Sequence, residues 1–337
     1  VTDATKTTDQ NSAVEPETED VRSIKHFPVA MFAGSLGICG LALAWRLAAE
    51  SFGLPMIIFK ILMGFGIGYT IAVSALYITK AIRHWNHIPA DISHPVRGNF
   101  LSAAGLGVML IAYGIQSYLP NFASILWLIA ALFSIFMAIV VMNSWIKCEH
   151  KSDQITPAIF IPAVGLIIGP MTGADMGHDL LCWMMLGAGA FGWLAILPVV
   201  LNRLFFHAFM SPPLRPSMFV MIAPPAVVAL ALTRMDGGYM DNTARMLTGM
   251  ALFTFFYVAA GWRKQMGIPF GLPWWGYTFP MSALTSALFY FYESSGEWFV
   301  GILAIIFLVL TTAITTLVTV KTLMAFAKGH LFRAPKF

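Results

Sequence analysis

Residues 273–297 read PWWGYTFPMSALTSALFYFYESSGE. The stretch is apolar, carries no charge before Glu293, and contains the step Thr278-Phe279-Pro280 near its N-terminal end. Proline removes a backbone N–H and crowds the preceding helical turn, so the stretch predicts a membrane span broken at this step. The residues that follow include Ser282, Ala283, Ser286 and Ala287, small side chains that suit a close-packed or pore-facing wall. The expectation that follows is a pore plugged by Phe279.

The chain has 337 residues, 58% of them hydrophobic and only 11% charged. Soluble domains carry about 25% charged residues. Here the charges fall between apolar runs of about 20 residues or more, the length that crosses a hydrocarbon core. The composition therefore predicts a polytopic membrane protein, with the lipid bilayer as its first partner. A net charge of +4 gives no reason to expect nucleic acid. Cys39, Cys148 and Cys182 fall in separate segments and form neither a disulfide framework nor a metal-binding spacing. Residues 1–25 are polar, acidic in the middle and poor in aromatics, so they read as a disordered tail and not as a cleavable signal. The membrane unit then runs over 26–333, and 334–337 form a short C-terminal end.

Ten apolar spans are expected, at 27–47, 55–80, 99–118, 121–146, 157–174, 179–204, 217–234, 243–262, 273–292 and 297–324. Linkers within each successive pair are short, which predicts five antiparallel hairpins. Linkers between pairs are longer and basic. They carry Lys80, Arg83, Arg97, Lys147, Lys151, Arg203, Arg215, Arg263 and Lys264. The short linkers hold only Arg46, Arg234 and Arg245 among basic residues, with Glu50, Asp175, Asp179, Asp236, Asp241, Glu293 and Glu297. The positive-inside rule then puts both termini in the cytoplasm of a cell inner (plasma) membrane.

The first spans of the pairs recur at a period of about 60 residues, the mark of a degenerate repeat. Several carry proline: Pro28, Pro162, Pro224 with Pro225, and Pro280. The third has Gly105 instead. Broken helices at equivalent positions point to a transport path. The odd-numbered spans are therefore expected inside, with the even-numbered spans around them.

No Asp or Glu lies in the middle of any span, which argues against a carboxylate relay. There is no HExxH, GxSxG or deep Asp pair, so neither an enzyme nor a resident cofactor is expected. His84 and His87 stand three apart without a Cys or carboxylate cluster, and read as interfacial side chains. A pore without fixed charges can still select anions through the N–H groups of helix starts. Arg97, Arg203, Arg215, Arg263 and Lys264 are candidates for a basic inner mouth that concentrates anions. The alternative reading of these charges is the positive-inside topological signal alone.

His94-Pro95-Val96-Arg97, Thr156-Pro157, Phe160-Ile161-Pro162-Ala163-Val164, Ala223-Pro224 and Trp275-Gly276-Tyr277-Thr278-Phe279-Pro280 resemble, in order and spacing, the bacterial TehA proteins and the plant slow-type anion channels of guard cells. That family also includes proteins named for tellurite resistance and C4-dicarboxylate transport. The resemblance covers about residues 27–333. It implies an all-α integral membrane fold of ten transmembrane helices in five hairpins, quasi-fivefold around a central pore, and a homotrimer. It also implies an occluding phenylalanine at Phe279. Phe32, Phe100, Phe160 and Phe219 are weaker pore-lining candidates, with packing as their alternative role. Ser35, Gly105 and Leu197 depart from the family pattern, and Ser35 predicts a straighter first helix. The first functional reading is a gated channel for small anions. The alternatives are a C4-dicarboxylate carrier, proton-linked through a histidine or through Asp175 or Asp179, and a tellurite-resistance exporter.

Overall fold

The computed structural model describes residues 23–94, 97–147, 155–261, 263 and 267–332. Every regular element among them is helical. The helices are α1 (Phe32–Phe52), α2 (Met56–Arg83), a short α3 (Ile88–Ser93), α4 (Arg97–Ile115) and α5 (Pro120–Lys147). They continue with α6 (Phe160–Val164), α7 (Ile168–Gly173), α8 (Asp179–Phe206), α9 (Ala223–Met235), α10 (Asn242–Ala259), α11 (Thr278–Ser295) and α12 (Trp298–Ala327). Among the described residues, eight helical stretches are long and apolar enough to cross a membrane. The 18-residue helices α10 and α11 lie outside that set of eight. The molecule is a multi-pass membrane protein.

The prolines explain how the inner helices begin. Pro162, Pro170 and Pro280 are each the third residue of their α-helices, and Pro224 and Pro225 are the second and third residues of α9. The first four N–H groups of an α-helix have no acceptor within it, so a proline there forfeits no hydrogen bond. Each of these helices is preceded by 3₁₀ turns, at Pro157–Ile159, Gly165–Ile167, Pro212–Ile222 and Leu272–Tyr277. The expected break at Phe279-Pro280 is thus a junction where a 3₁₀ lead-in becomes an α-helix. Thr278 secures the junction by donating its hydroxyl to the Trp275 carbonyl at 2.8 Å. Pro28 precedes a similar turn, Val29–Met31, and α1 then runs uninterrupted past Ser35. Gly105 lies inside the continuous helix α4 and marks no break.

Most hairpin turns use a glycine at positive φ: Gly53 after α1, Gly177 before α8, Gly237 and Gly238 after α9, and Gly296 after α11. Glycine takes this left-handed conformation without a Cβ clash. The N–H groups of Gly53 and Gly296 donate to Ala49 and Tyr292 and close their helices.

Inner and outer layers are sharply separated. Between 78 and 83% of the apolar core of the first, third, fifth and seventh stretches is buried, against 28 to 39% for α2, α5, α8 and α12. The inner helices form a closed ring. Helix α1 packs on α4, α4 on α6 and α7, α7 on α9, α9 on α11, and α11 back on α1. Each outer helix fills the groove between its own inner partner and the next one. Thus α2 touches α1 and α4, and α12 touches α11 and α1.

Close approach in this ring rests on small side chains, as lipid offers no hydrophobic drive for helices to associate. A Cβ at Gly37 would collide with Thr278, and one at Gly107 would press on Ser35 at 2.8 Å. Outer helices expose Ile57, Ile61, Phe253 and Ile306, which suits contact with acyl chains.

Both described ends lie at one end of the ring, where the Ser23 N–H donates to the Phe332 carbonyl at 3.0 Å. This terminal end is opposite the hairpin end. At the terminal end Lys80 is buried, and it donates to Asp91 Oδ2 at 2.5 Å and to the Phe27 carbonyl at 2.9 Å. Arg97 pairs with the other Asp91 oxygen at 3.3 Å. This network ties the start of the first inner wall to α2, α3 and α4.

Candidate functional site

Two cavities lie in series along the axis of the ring. The one nearer the terminal end measures about 70 Å³ and is lined by all five inner walls, through residues such as Leu36, Leu106, Ile168, Val227 and Phe279. The second measures about 40 Å³ and is also lined by all five, through Arg46, Tyr113, Met171, Arg234 and Tyr290 among others. Among the described residues, Phe279 is the one that lines both.

The position of Phe279 follows from the local fold. It is the second residue of α11, just after the 3₁₀ lead-in that Thr278 secures. Its ring lies over Gly40 of α1, where an added Cβ would come within 3.1 Å of Phe279 Cδ2. Trp275, one helical turn earlier, is fully buried and also lines the first cavity.

The two cavities differ in chemistry. The first has an aliphatic and aromatic lining with little polar surface, Ser217 being its one hydroxyl side chain. The second carries two cations. Arg46 Nε donates to Glu50 at 2.9 Å, and its guanidinium lies 5.4 Å from the Tyr113 ring centroid. Arg234 pairs with Asp175, approaches the Tyr290 hydroxyl at 3.3 Å, and lies 5.0 Å from the same Tyr113 ring.

The candidate residues divide plainly. Phe279, Pro280, Pro224, Phe100 and Phe160 line the first cavity. Pro162 is buried in α6 between Ile161 and Val164, both of which line that cavity, but it does not line the cavity itself. Pro28 is the N-cap of the 3₁₀ turn Val29–Met31 and lines neither cavity. Phe32 packs edge-on against Tyr77, in an outer groove also lined by Gly105. Gly105 is held against Ser134, Phe133 and Ala130 of α5, so it serves inner-to-outer packing. Phe219 packs against Tyr277 and Phe255, again off the axis.

The expected basic mouth is not assembled on the cavities. Arg97 pairs with Asp91, Arg203 donates to the Ala208 carbonyl at 2.6 Å, and Arg215 donates to the Met210 carbonyl at 3.0 Å. Arg263 is exposed and lines neither cavity, and Lys264 lies outside the described residues. The cavity-lining cations are instead Arg46 and Arg234, which the linker count had assigned to the hairpin loops. The available signal was their place within the last two turns of odd-numbered, inner helices.

The family model described as SLAC1, voltage-dependent anion channel, matches residues 26–323. The S-type anion channel SLAH2 of Arabidopsis thaliana is 26% identical over 83% of this chain and 55% of its own length. The guard cell S-type anion channel SLAC1 of the same plant is 24% identical over 96% of this chain and 60% of its own length. The tellurite resistance protein TehA homolog of Haemophilus influenzae is 24% identical over 90% of this chain and 92% of its own length. The chain thus spans little more than half the length of these two plant relatives. With residues 26–323 matched over most of its length, the chain belongs to the voltage-dependent anion channel family.

Proposed function

We propose that the chain is a gated channel for small anions, with a path along the axis of the inner ring that Phe279 closes. The observation that carries this reading is that, among the described residues, Phe279 alone lines both axial cavities. A bulky apolar side chain at such a constriction excludes water, and an ion cannot pass a dewetted neck. In this reading α10 and α11 also cross the bilayer, giving ten spans over 26–333. The terminal end with Arg83, Arg203, Arg215 and Lys147 faces the cytoplasm of a plasma membrane, and three copies assemble with one path in each.

Volume favours small anions over the carrier reading. One water needs about 10–15 Å³ of such space. Cavities of about 70 and 40 Å³ therefore suit an ion with a few waters better than an extended C4-dicarboxylate.

The test is current through planar bilayers containing wild type or Phe279→Ala. A tenfold rise corresponds to about 1.4 kcal/mol off the barrier, and the alanine variant is expected to reach at least that. No rise in anion current would remove Phe279 as the gate, and saturable malate uptake without current would favour the carrier.

A further inference from the structure

We propose that Arg46 and Arg234 form an anion-binding subsite in the axial path, on the hairpin side of Phe279, that takes a small monovalent anion such as a halide or nitrate. The proposal rests on the channel reading and adds to it where the anion is selected.

The geometry is specific. Arg46 stands on α1 and Arg234 on α9, two walls that are not neighbours in the ring, and both side chains line the same cavity. Tyr113 of α4 lies within reach of both guanidiniums, 5.4 and 5.0 Å from its ring centroid. Phe279 borders the same cavity. An anion resting between the arginines is therefore next to the neck it must pass.

Glu50 and Asp175 do not consume the donors. A guanidinium has five N–H groups. Arg46 uses Nε on Glu50, and among the described residues its terminal nitrogens have no protein acceptor. Arg234 uses its two terminal nitrogens on Tyr290 and Asp175, while its Nε is buried without a protein partner among the described residues, as are those of Arg203 and Arg245, which line neither cavity. A buried donor left unmade is costly, and an anion or a water in the cavity would satisfy it. Glu50 and Asp175 are themselves roughly half exposed, at 42 and 48%, so they lie on the solvent side of the arginines and leave the cavity face cationic. Ionisable groups inside a membrane protein that face a water-filled cavity mark substrate and ion pathways.

The size sets the ligand. A cavity of about 40 Å³ holds on the order of three water-sized bodies. That accommodates one partly hydrated halide or nitrate.

The experiment uses the full chain with Phe279→Ala as the conducting parent, in planar bilayers under a potassium chloride gradient. Arg46→Gln and Arg234→Gln are each expected to lower chloride conductance several fold and to move the reversal potential toward zero. Arg46→Lys and Arg234→Lys are expected to keep most of the selectivity. Arg245→Gln is the charge-matched control, since Arg245 donates to the Ser294 carbonyl and lines neither cavity. Parent-like selectivity in both glutamine variants, or an equal loss in Arg245→Gln, would overturn the subsite. If the parent itself passes no current, the channel reading fails separately. Binding is then read from nitrate-dependent protection against thermal unfolding at constant ionic strength. Protection in the wild-type chain and its loss in Arg234→Gln support the subsite, and equal protection in both overturns it.

Discussion

The ring of Phe279 rests over Gly40 of the first inner helix, at a point where one methyl group would sit 3.1 Å from Phe279 Cδ2 and 3.1 Å from Ser282 Cβ. Ser282 Cβ is fixed by its backbone, so the ring must yield if a side chain is added. Gly40→Ala is expected to lower stability by up to about 2 kcal/mol, the overpacking cost of about 1–3 kcal/mol less the helix gain of about 1 kcal/mol for replacing a glycine inside α1. In a Phe279→Ala background that cost should shrink, because half of the collision is gone. Thermal unfolding of the two single variants and the double variant gives the coupling. Strict additivity would show that the ring does not occupy this place.

Pro280 sits in the first turn of α11, where it forfeits no hydrogen bond. Pro280→Ala is therefore expected to change stability by no more than about 1 kcal/mol. A loss of about 3 kcal/mol or more in unfolding measurements would mean that the proline holds a kink in a running helix.

Lys80 and Asp91 are 3 and 6% exposed in their side chains and meet at 2.5 Å. Lys80→Met leaves a buried carboxylate hydrogen-bonded, among the described residues, to Arg97 at 3.3 Å and the Tyr77 hydroxyl at 3.4 Å. The expected cost is about 3 kcal/mol, in the range for breaking one side of a buried pair. The double variant Lys80→Met, Asp91→Leu should recover part of it. Guanidinium or thermal unfolding in detergent decides this, and a Lys80→Met variant as stable as wild type would refute it.

His94 accepts a hydrogen bond at Nδ1 from the Arg97 N–H, 3.3 Å away, at the start of α4. Burial, and then the nearby positive charge of Arg97, hold its pKa below the ordinary imidazole value, with Asp91 pulling the other way. His26 is also lowered, chiefly by burial and then by Lys25. A histidine lowered in the folded state keeps its full contribution above about pH 6.5 and loses it as the pH falls, since the unfolded chain binds the proton first. The melting temperature should therefore drop on acidification below that value. His94→Asn should flatten the drop in part, and an unchanged pH profile in this variant would exclude His94 as a source.

Much of this architecture is legible in residue order. Proline at a regular period located the inner walls, because first-turn positions tolerate a missing N–H and the repeat places those turns at one level. Short linkers within each pair located the hairpins, because a short connection forces antiparallel neighbours. The place of Phe279 on both cavities matches an expectation drawn from its seat next to Pro280 together with the family resemblance. The direction of individual side chains was not. Gly105 looked like a loosened pore helix, yet its missing side chain admits Ser134 and Phe133 from outside the ring. Counting charges by linker assigned Arg46 and Arg234 to the loops, because such a count registers how many cations a segment holds and not which way they turn. Lys80 was read as a topological charge, and its acidic partner on α3 became apparent only once the chain was folded.

The hydrogen bond between Ser23 and Phe332 has a consequence for chain connectivity. Helix α12 seats between α11 and α1 just as α2 seats between α1 and α4, so no hairpin occupies a privileged place in the circle. Joining residues 23 and 332 through a short peptide and opening the chain between Phe206 and Pro212 would cut no inner helix. The barrel is in this sense circularly permutable, and the order in which its hairpins are synthesised is separable from the order in which they pack.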